Sequence, residues 1–198
     1  MKQERRRFSQ EEYLDRQLKT RKSMNALNVE VLIVYDPANM FWLTGYDGWS
    51  FYVHQCVVIT TDGGLFWYGR GIDAKGAELT TDLELNNILS YPDDYVMSPE
   101  RHPMEFLAII LKEKGLHNKR IGLEKDNYYF SARAAESLYS SLPAATFSDQ
   151  TGLVNWQRAV KSETFDDNVW ASIEYEKDNT SITNVDELLN SGNTWEID

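Results

Sequence analysis

The chain has 198 residues, with 31 acidic against 20 basic side chains and a formal net charge of −11. That length holds one domain of ordinary size with an appendage, and the acidity argues against nucleic acid as a partner, because phosphate neutralisation drives such binding. No apolar run reaches the roughly 18 residues that a membrane-crossing helix needs.

The start, MKQERRRFSQEEY, is basic but has no apolar stretch behind it, which argues against a secretory signal and for a cytoplasmic protein. The single cysteine, Cys56, has no internal disulfide partner and fits a reducing compartment. Ser9 with Glu12 three positions later reads as a capping box, opening a helix that runs to about Leu27 with Leu14, Leu18, Met24 and Leu27 among its apolar residues. Val29 to Tyr35 is a β-branched run suited to the inside of a sheet covered on both faces. Asp36-Pro37 ends it, and 38–43 form a short helical turn or a bent segment.

Phe51 to Thr61 and Leu65 to Tyr68 read as two strands joined by a hairpin at Asp62-Gly63-Gly64. A short helix over Ile72 to Thr81 and a strand over Asn87 to Tyr91 follow. Pro103 suits the first position of a helix that stops at Gly115. A strand from Arg120 to Glu124, a helix from Ser131 to Ser141, a short strand from Ala145 to Ser148 and a helix over Leu153 to Ala159 complete the order. Hairpin pairing combined with crossover helices indicates an α/β layered domain with a mixed sheet. From Lys161 onward there are 2 basic and 10 acidic residues, so 163–198 reads as an acidic, divergent tail, loosely packed or disordered.

Chemistry is sparse. The three histidines, His54, His102 and His117, lie in no metal-ligand spacing, and carboxylate pairs such as Glu124/Asp126 arise by chance among 31 acids, so no complete metal site is expected. Cys56 lies within an apolar run, where a core role outweighs a Cys56/His54 nucleophile pair. Gly69-Arg70-Gly71 is neither a dinucleotide nor a Walker loop. The stretch Asp47-Gly48-Trp49-Ser50-Phe51-Tyr52 is too polar at its start to be all core. An alternating strand would put Phe51, Val53 and Gln55 on one face and Tyr52, His54 and Cys56 on the other, with either face open to a ligand. Tyr128-Tyr129-Phe130 reads as packing, and His102 as a turn residue at a helix start.

The blocks DPANMFWLTGYDGWSFYVHQ, WYGRGIDAKGA, YPDDYVMSPERHPM, IGLEKDNYYFSA and LVNWQRAVKS together resemble the N-terminal domain of the creatinase/Xaa-Pro dipeptidase family, within it the ectoine-hydrolase-like branch. The resemblance spans about Phe8 to Ser162 and implies a creatinase/prolidase N-terminal-like domain over 8–162, of three-layer α/β/α build. It also implies a homodimeric hydrolase whose C-terminal pita-bread domain holds the catalytic groups and, in some members, a divalent metal pair. The N-terminal domain of one subunit then helps to cover the active site of the other. Substrate contacts implied on this chain are Asp47, Trp49, Phe51, Tyr52, His54 and Arg70, toward a small zwitterion such as ectoine; Arg70 could also pair with Asp73 or another acid. After Ser162-Glu163 the family pattern is lost, so no catalytic residue, metal or cofactor is expected from this chain and no hydrolysis by it alone. The alternatives are a non-catalytic binding or regulatory module built on the same domain, or the front of a Xaa-Pro dipeptidase-like hydrolase.

Overall fold

The computed structural model describes residues 7–160; the expected acidic tail lies outside them. Among the described residues six α-helices and six strands follow one another. They are α1 Gln10–Ala26, β1 Val31–Val34, α2 Pro37–Thr44, β2 Cys56–Thr60, β3 Leu65–Arg70, α3 Ala74–Thr80, β4 Ile88–Tyr91, α4 Pro103–Glu113, β5 Arg120–Leu123, α5 Ala132–Ser141, β6 Thr146–Asp149 and α6 Leu153–Val160. The strands form one sheet in the order β4-β3-β2-β1-β5-β6. β2 runs antiparallel to β1 and β3, while β1/β5, β5/β6 and β3/β4 are parallel. The mixed sheet expected from the order of elements is therefore present.

Alternation along the central strands divides the core in two. Val31, Ile33, Cys56, Val58, Phe66 and Tyr68 pack with α4 and α5 residues such as Leu107, Leu111 and Leu138. Leu32, Val34, Val57, Ile59 and Trp67 pack on the opposite face with Met24, Met40, Leu43, Ala77 and Val154. A sheet whose two faces each bury a cluster under helices is the expected three-layer α/β/α arrangement. β1 and β2 are buried along their whole length, as the β-branched run implies.

Local chemistry sets the boundaries. The Ser9 side chain accepts the Glu12 N–H and starts α1. Asp36 caps α2 by accepting from Ala38 and Asn39, with Pro37 in the first turn, and Gly45 at φ +80° ends that helix in the left-handed region. His102 caps α4 ahead of Pro103. Gly69, in the WYGRG block, lies under the Trp67 indole: a Cβ there would come within 2.5 Å of the ring.

Two features are not given by the sequence pattern alone. Helix α1 buries Tyr13, Arg16, Gln17, Thr20 and Met24, whereas Leu14, Leu18 and Leu27 are exposed. The reason is that α1 packs on the end of α2, whose last carbonyls need donors. Gln17 Nε2 donates to Leu43 O at 2.9 Å and Arg16 Nη1 to Trp42 O at 3.2 Å. The Arg16 guanidinium is also sandwiched 3.7 Å from the Trp42 ring centre and 4.0 Å from that of Phe8. Second, β2 begins at Cys56, so 51–55 do not alternate as a strand. β1 ends at Val34, paired with Val57, and leaves the sheet at Asp36-Pro37, so the residues before Cys56 have no ladder on that side. They close a turn instead, with Val53 N–H donating to Ser50 O at 3.1 Å.

Candidate functional site

The strand register gathers the candidate loops at one end of the sheet. Val34 pairs with Val57, Cys56 with Tyr68, Arg70 with Tyr91, Ile33 with Leu123, and Leu123 with Asp149. The carboxyl ends of β1, β3, β4, β5 and β6 and the amino end of β2 therefore lie together. Of the loops there, the one between α2 and β2 exposes a cluster of large aromatic side chains.

That loop is pinned at three places. The buried Tyr46 donates its hydroxyl to Gln55 Oε1 at 2.8 Å, tying the base together. Ser50 Oγ donates to Asp73 Oδ1, beside the start of α3. Phe51 meets Tyr129 edge to face at 5.9 Å. Between the pins, Trp49 is 81% exposed, Tyr52 70% and Phe51 36%, with Trp49 and Phe51 in T-shaped contact at 5.1 Å. Tyr128, on the neighbouring loop, is fully exposed. Burying a large apolar side chain contributes about 1.5–3 kcal/mol, so aromatics held in water by a pinned backbone retain that much for a ligand or partner.

His54 stands beside this ladder, its ring 4.5 Å from that of His102 and tilted by 56°. Burial, with the neighbouring His102, pushes the His54 pKa down to about 4, so the ring is neutral at pH 7. Trp49, Phe51 and Tyr52 are thus brought together, and His54, two residues after Tyr52 in sequence, pairs with His102. Arg70 and Asp47 are not part of that cluster. Arg70 Nε lies 3.4 Å from Asp93 Oδ1 in an ion pair with a mostly exposed partner, one of the two readings open to it, while Asp73 takes Ser50 instead. Asp47 accepts no bond from the ladder; its N–H faces Thr80 Oγ1 at 3.3 Å, and it borders a shallow depression with Arg7, Phe8 and Phe41. Cys56 is wholly buried, and burial and the nearby Glu124 raise its thiol pKa, so it is a core residue rather than a nucleophile. Among the described residues no group of three metal-ligating side chains converges.

Two groups that sequence reasoning set aside belong to this end. His102, read there as a turn residue, carries both the α4 cap and the contact with His54; its signal was the His-Pro pair before an apolar helical run. Glu124, read as a chance carboxylate, is buried, and its Oε2 accepts from Tyr35 N at 2.7 Å and Asp36 N at 2.8 Å. Its Oε1 accepts from Asn39 Nδ2 at 2.6 Å, and the same amide reaches Asn155 Oδ1. Burial raises the Glu124 pKa to about 7 against the pull of these bonds. The carboxyl joins the ends of β1 and β5 to α2 and α6, beneath a cleft of about 130 Å³ that Asp126, Tyr128 and Thr151 help to line. Because α2 leaves β1 on one face and α5 leaves β5 on the other, this cleft sits where the connections from two parallel neighbouring strands diverge to opposite faces of the sheet.

A family model described as the creatinase/prolidase N-terminal domain matches residues 16–160. Ectoine hydrolase of Halomonas elongata is 52% identical over 156 residues, 78% of this chain and 39% of that protein. An uncharacterized hydrolase/peptidase of Sinorhizobium fredii is 44% identical over 157 residues, 79% of this chain and 40% of that one. The chain thus spans about two fifths of the length of the curated relatives it matches. Among solved structures, a proline dipeptidase from Streptococcus pneumoniae superposes with a TM-score of 0.58 at 16% identity, covering 73% of this chain and 98% of that one. A Xaa-Pro dipeptidase from Bacillus anthracis gives 0.57 at 12% identity, covering 77% and 37%. At such identities the structures share the fold alone.

Proposed function

The chain belongs to the creatinase/prolidase N-terminal domain family, and from that premise we propose that residues 8–162 form the substrate-capping and dimerisation domain of an ectoine-hydrolase-like enzyme. In this reading the aromatic loop of one subunit closes over the substrate pocket of another. The domain then shapes and dries that pocket while the hydrolytic groups come from the part of the relatives' length that this chain does not match.

The observation that carries the reading is the pinned, outward Trp49-Phe51-Tyr52 ladder. A backbone held by Tyr46–Gln55 and Ser50–Asp73 presents three aromatic faces to water with little left to order on contact, which lowers the entropic cost of docking. Aromatic faces suit the amidine cation of a small zwitterion as well as its apolar ring. Neutral His54 at the edge adds hydrogen-bonding capacity without a charge to desolvate. The 52% identity to ectoine hydrolase supports ectoine over other substrates of the wider family.

The test is a domain exchange. Residues 8–162 replace the matching segment of the Halomonas enzyme, and ectoine hydrolysis is assayed. Hydrolysis by the chimera, none by the 198-residue chain and no tight calorimetric binding of ectoine to that chain are expected. A folded, dimeric but inactive chimera would overturn the reading. Tight ectoine binding by the chain alone would replace it with an independent binding module.

A further inference from the structure

Glu124 brings to its cleft a charge that the fold leaves without a counter-ion. It is only 2% exposed, and the three bonds its carboxylate accepts come from neutral groups: the N–H groups of Tyr35 and Asp36 and the Asn39 amide. Among the described residues no Lys, Arg or His forms an ion pair with it. The adjacent Lys125 lies over the Tyr139 ring instead, 5.9 Å from its centre. Buried charges are normally paired, because an unpaired one is costly. A second acceptor beside the carboxylate is also without a donor. Asn39 Nδ2 bridges Glu124 and Asn155, both of which line the cleft, while Asn39 Oδ1 is buried and has no partner among the described residues.

The lining selects the ligand. Asp36 and Asp126 are the other charged residues around this space of about 130 Å³, and both are acidic. Asp36 Oδ1 is engaged in the α2 cap, whereas Asp126 is exposed. Such a set repels an anion. A metal ion is disfavoured as well: the Glu124 oxygens already accept three N–H bonds, and among the described residues no three metal-ligating side chains converge. The match is a cation that brings its own N–H donors. Tyr128, fully exposed and lining the same cleft, adds an aromatic ring, which favours an organic cation.

We propose that this cleft is a binding site for a small primary ammonium, with Glu124 as its buried counter-ion and Asp36, Asp126 and Tyr128 around it. An ammonium group carries three donors and one positive charge, which suits a small site rich in acceptors and acids. The inference goes beyond the capping reading and does not rest on it, since every group it uses lies in this chain.

Methylammonium is the probe, with acetate and tetramethylammonium, which has no N–H, as controls at equal ionic strength. In nuclear magnetic resonance spectra of the 198-residue chain, methylammonium should shift the backbone amides of Tyr35 and Asp36 and the side-chain amides of Asn39 and Asn155. The shifts should saturate in the millimolar range, and neither control should produce them. Glu124→Gln keeps an oxygen for the Tyr35 and Asp36 N–H groups and should weaken binding by about tenfold or more, the loss of a buried charge pair. Asp126→Asn, at an exposed position, should weaken it about two- to fivefold, and it keeps the test valid if Glu124→Gln unfolds. The proposal is overturned if methylammonium gives no saturable shift, if either folded variant binds as the native chain does, or if a control shifts the same amides as strongly. Turnover by the chimera tests the capping reading alone.

Discussion

The two ends of the sheet are built from the same strands and finished differently. At the hairpin end, polar groups find partners within the fold: Glu30 takes Lys119 Nζ and the Arg120 N–H, both at 3.1 Å, and Arg120 Nε donates to Asn28 O at 2.8 Å. Arg21 Nε donates to Thr60 O at 2.9 Å across the turn. At the opposite end the loops are pinned as firmly, yet Trp49, Tyr52 and Tyr128 stand in water. Rigid backbone with exposed aromatics costs the isolated fold something that a satisfied turn does not. The difference marks the aromatic end as the one shaped by recognition rather than by stability alone.

The largest test of that contrast removes one carboxylate from each end. Glu124→Ala leaves the N–H groups of Tyr35 and Asp36 and the Asn39 amide without their acceptor in a buried site, and urea unfolding should show a loss of about 3 kcal/mol or more. Glu30→Ala removes contacts that are partly solvated and should cost about 1 kcal/mol or less. Equal losses would erase the distinction drawn between buried joints and solvated turns.

Next in size is Gly69→Ala, where the new methyl meets the buried Trp67 ring; thermal or urea denaturation should report about 1–3 kcal/mol of destabilisation. A neutral result would mean that the indole has room to move and that the glycine of WYGRG answers to something else.

The pH dependence sharpens the picture of the aromatic end alone. Glu124 titrates near 7 in the fold, above its ordinary value of 4.5, so its contribution is complete below pH 4.5 and is lost as pH rises through 7. His54 titrates near 4, below its ordinary 6.5, so its contribution is complete above pH 6.5 and is lost as pH falls toward 4. Between pH 4.5 and 6.5 the two slopes oppose each other in the native protein. Relative to it, Glu124→Gln should make stability rise more steeply with pH across that window, and His54→Phe should make it fall, each by at most about 1.4 kcal/mol per pH unit. Unfolding curves at pH 4.5, 5.5 and 6.5 check both signs. The smallest stability effect belongs to Trp49→Ala, expected within about 0.5 kcal/mol of the native chain because the side chain has little to lose.

Most of the fold was legible because its signals are local. Ser9, Asp36-Pro37, Pro103, Gly115 and Ser131 mark helix ends by their own chemistry, and VLIV and CVVIT are β-branched and apolar without interruption. What failed depended on partners distant in sequence. The inward face of α1 is polar because it serves the carbonyls of α2, 26 residues on. The segment 51–55 alternates like a strand, but its neighbour leaves the sheet before reaching it. The aromatic loop was legible as a candidate from its composition. Joining His102 to His54 required the α4 cap to be placed beside β2, and recognising Glu124 required β1 and β5 to be paired, because the carboxylate gains its role from backbone groups 88 and 89 residues away.

The direct measurement of the central claim is ectoine hydrolysis by the chimera carrying residues 8–162, compared between Phe51→Ala at one end and Glu30→Ala at the other. The expected result is a fall in kcat/KM of about tenfold or more for Phe51→Ala, with a stability loss of about 1 kcal/mol or less, and native turnover for Glu30→Ala. Native turnover in Phe51→Ala, or equal losses at both ends, would contradict the assignment of the aromatic end as the surface that closes over the substrate.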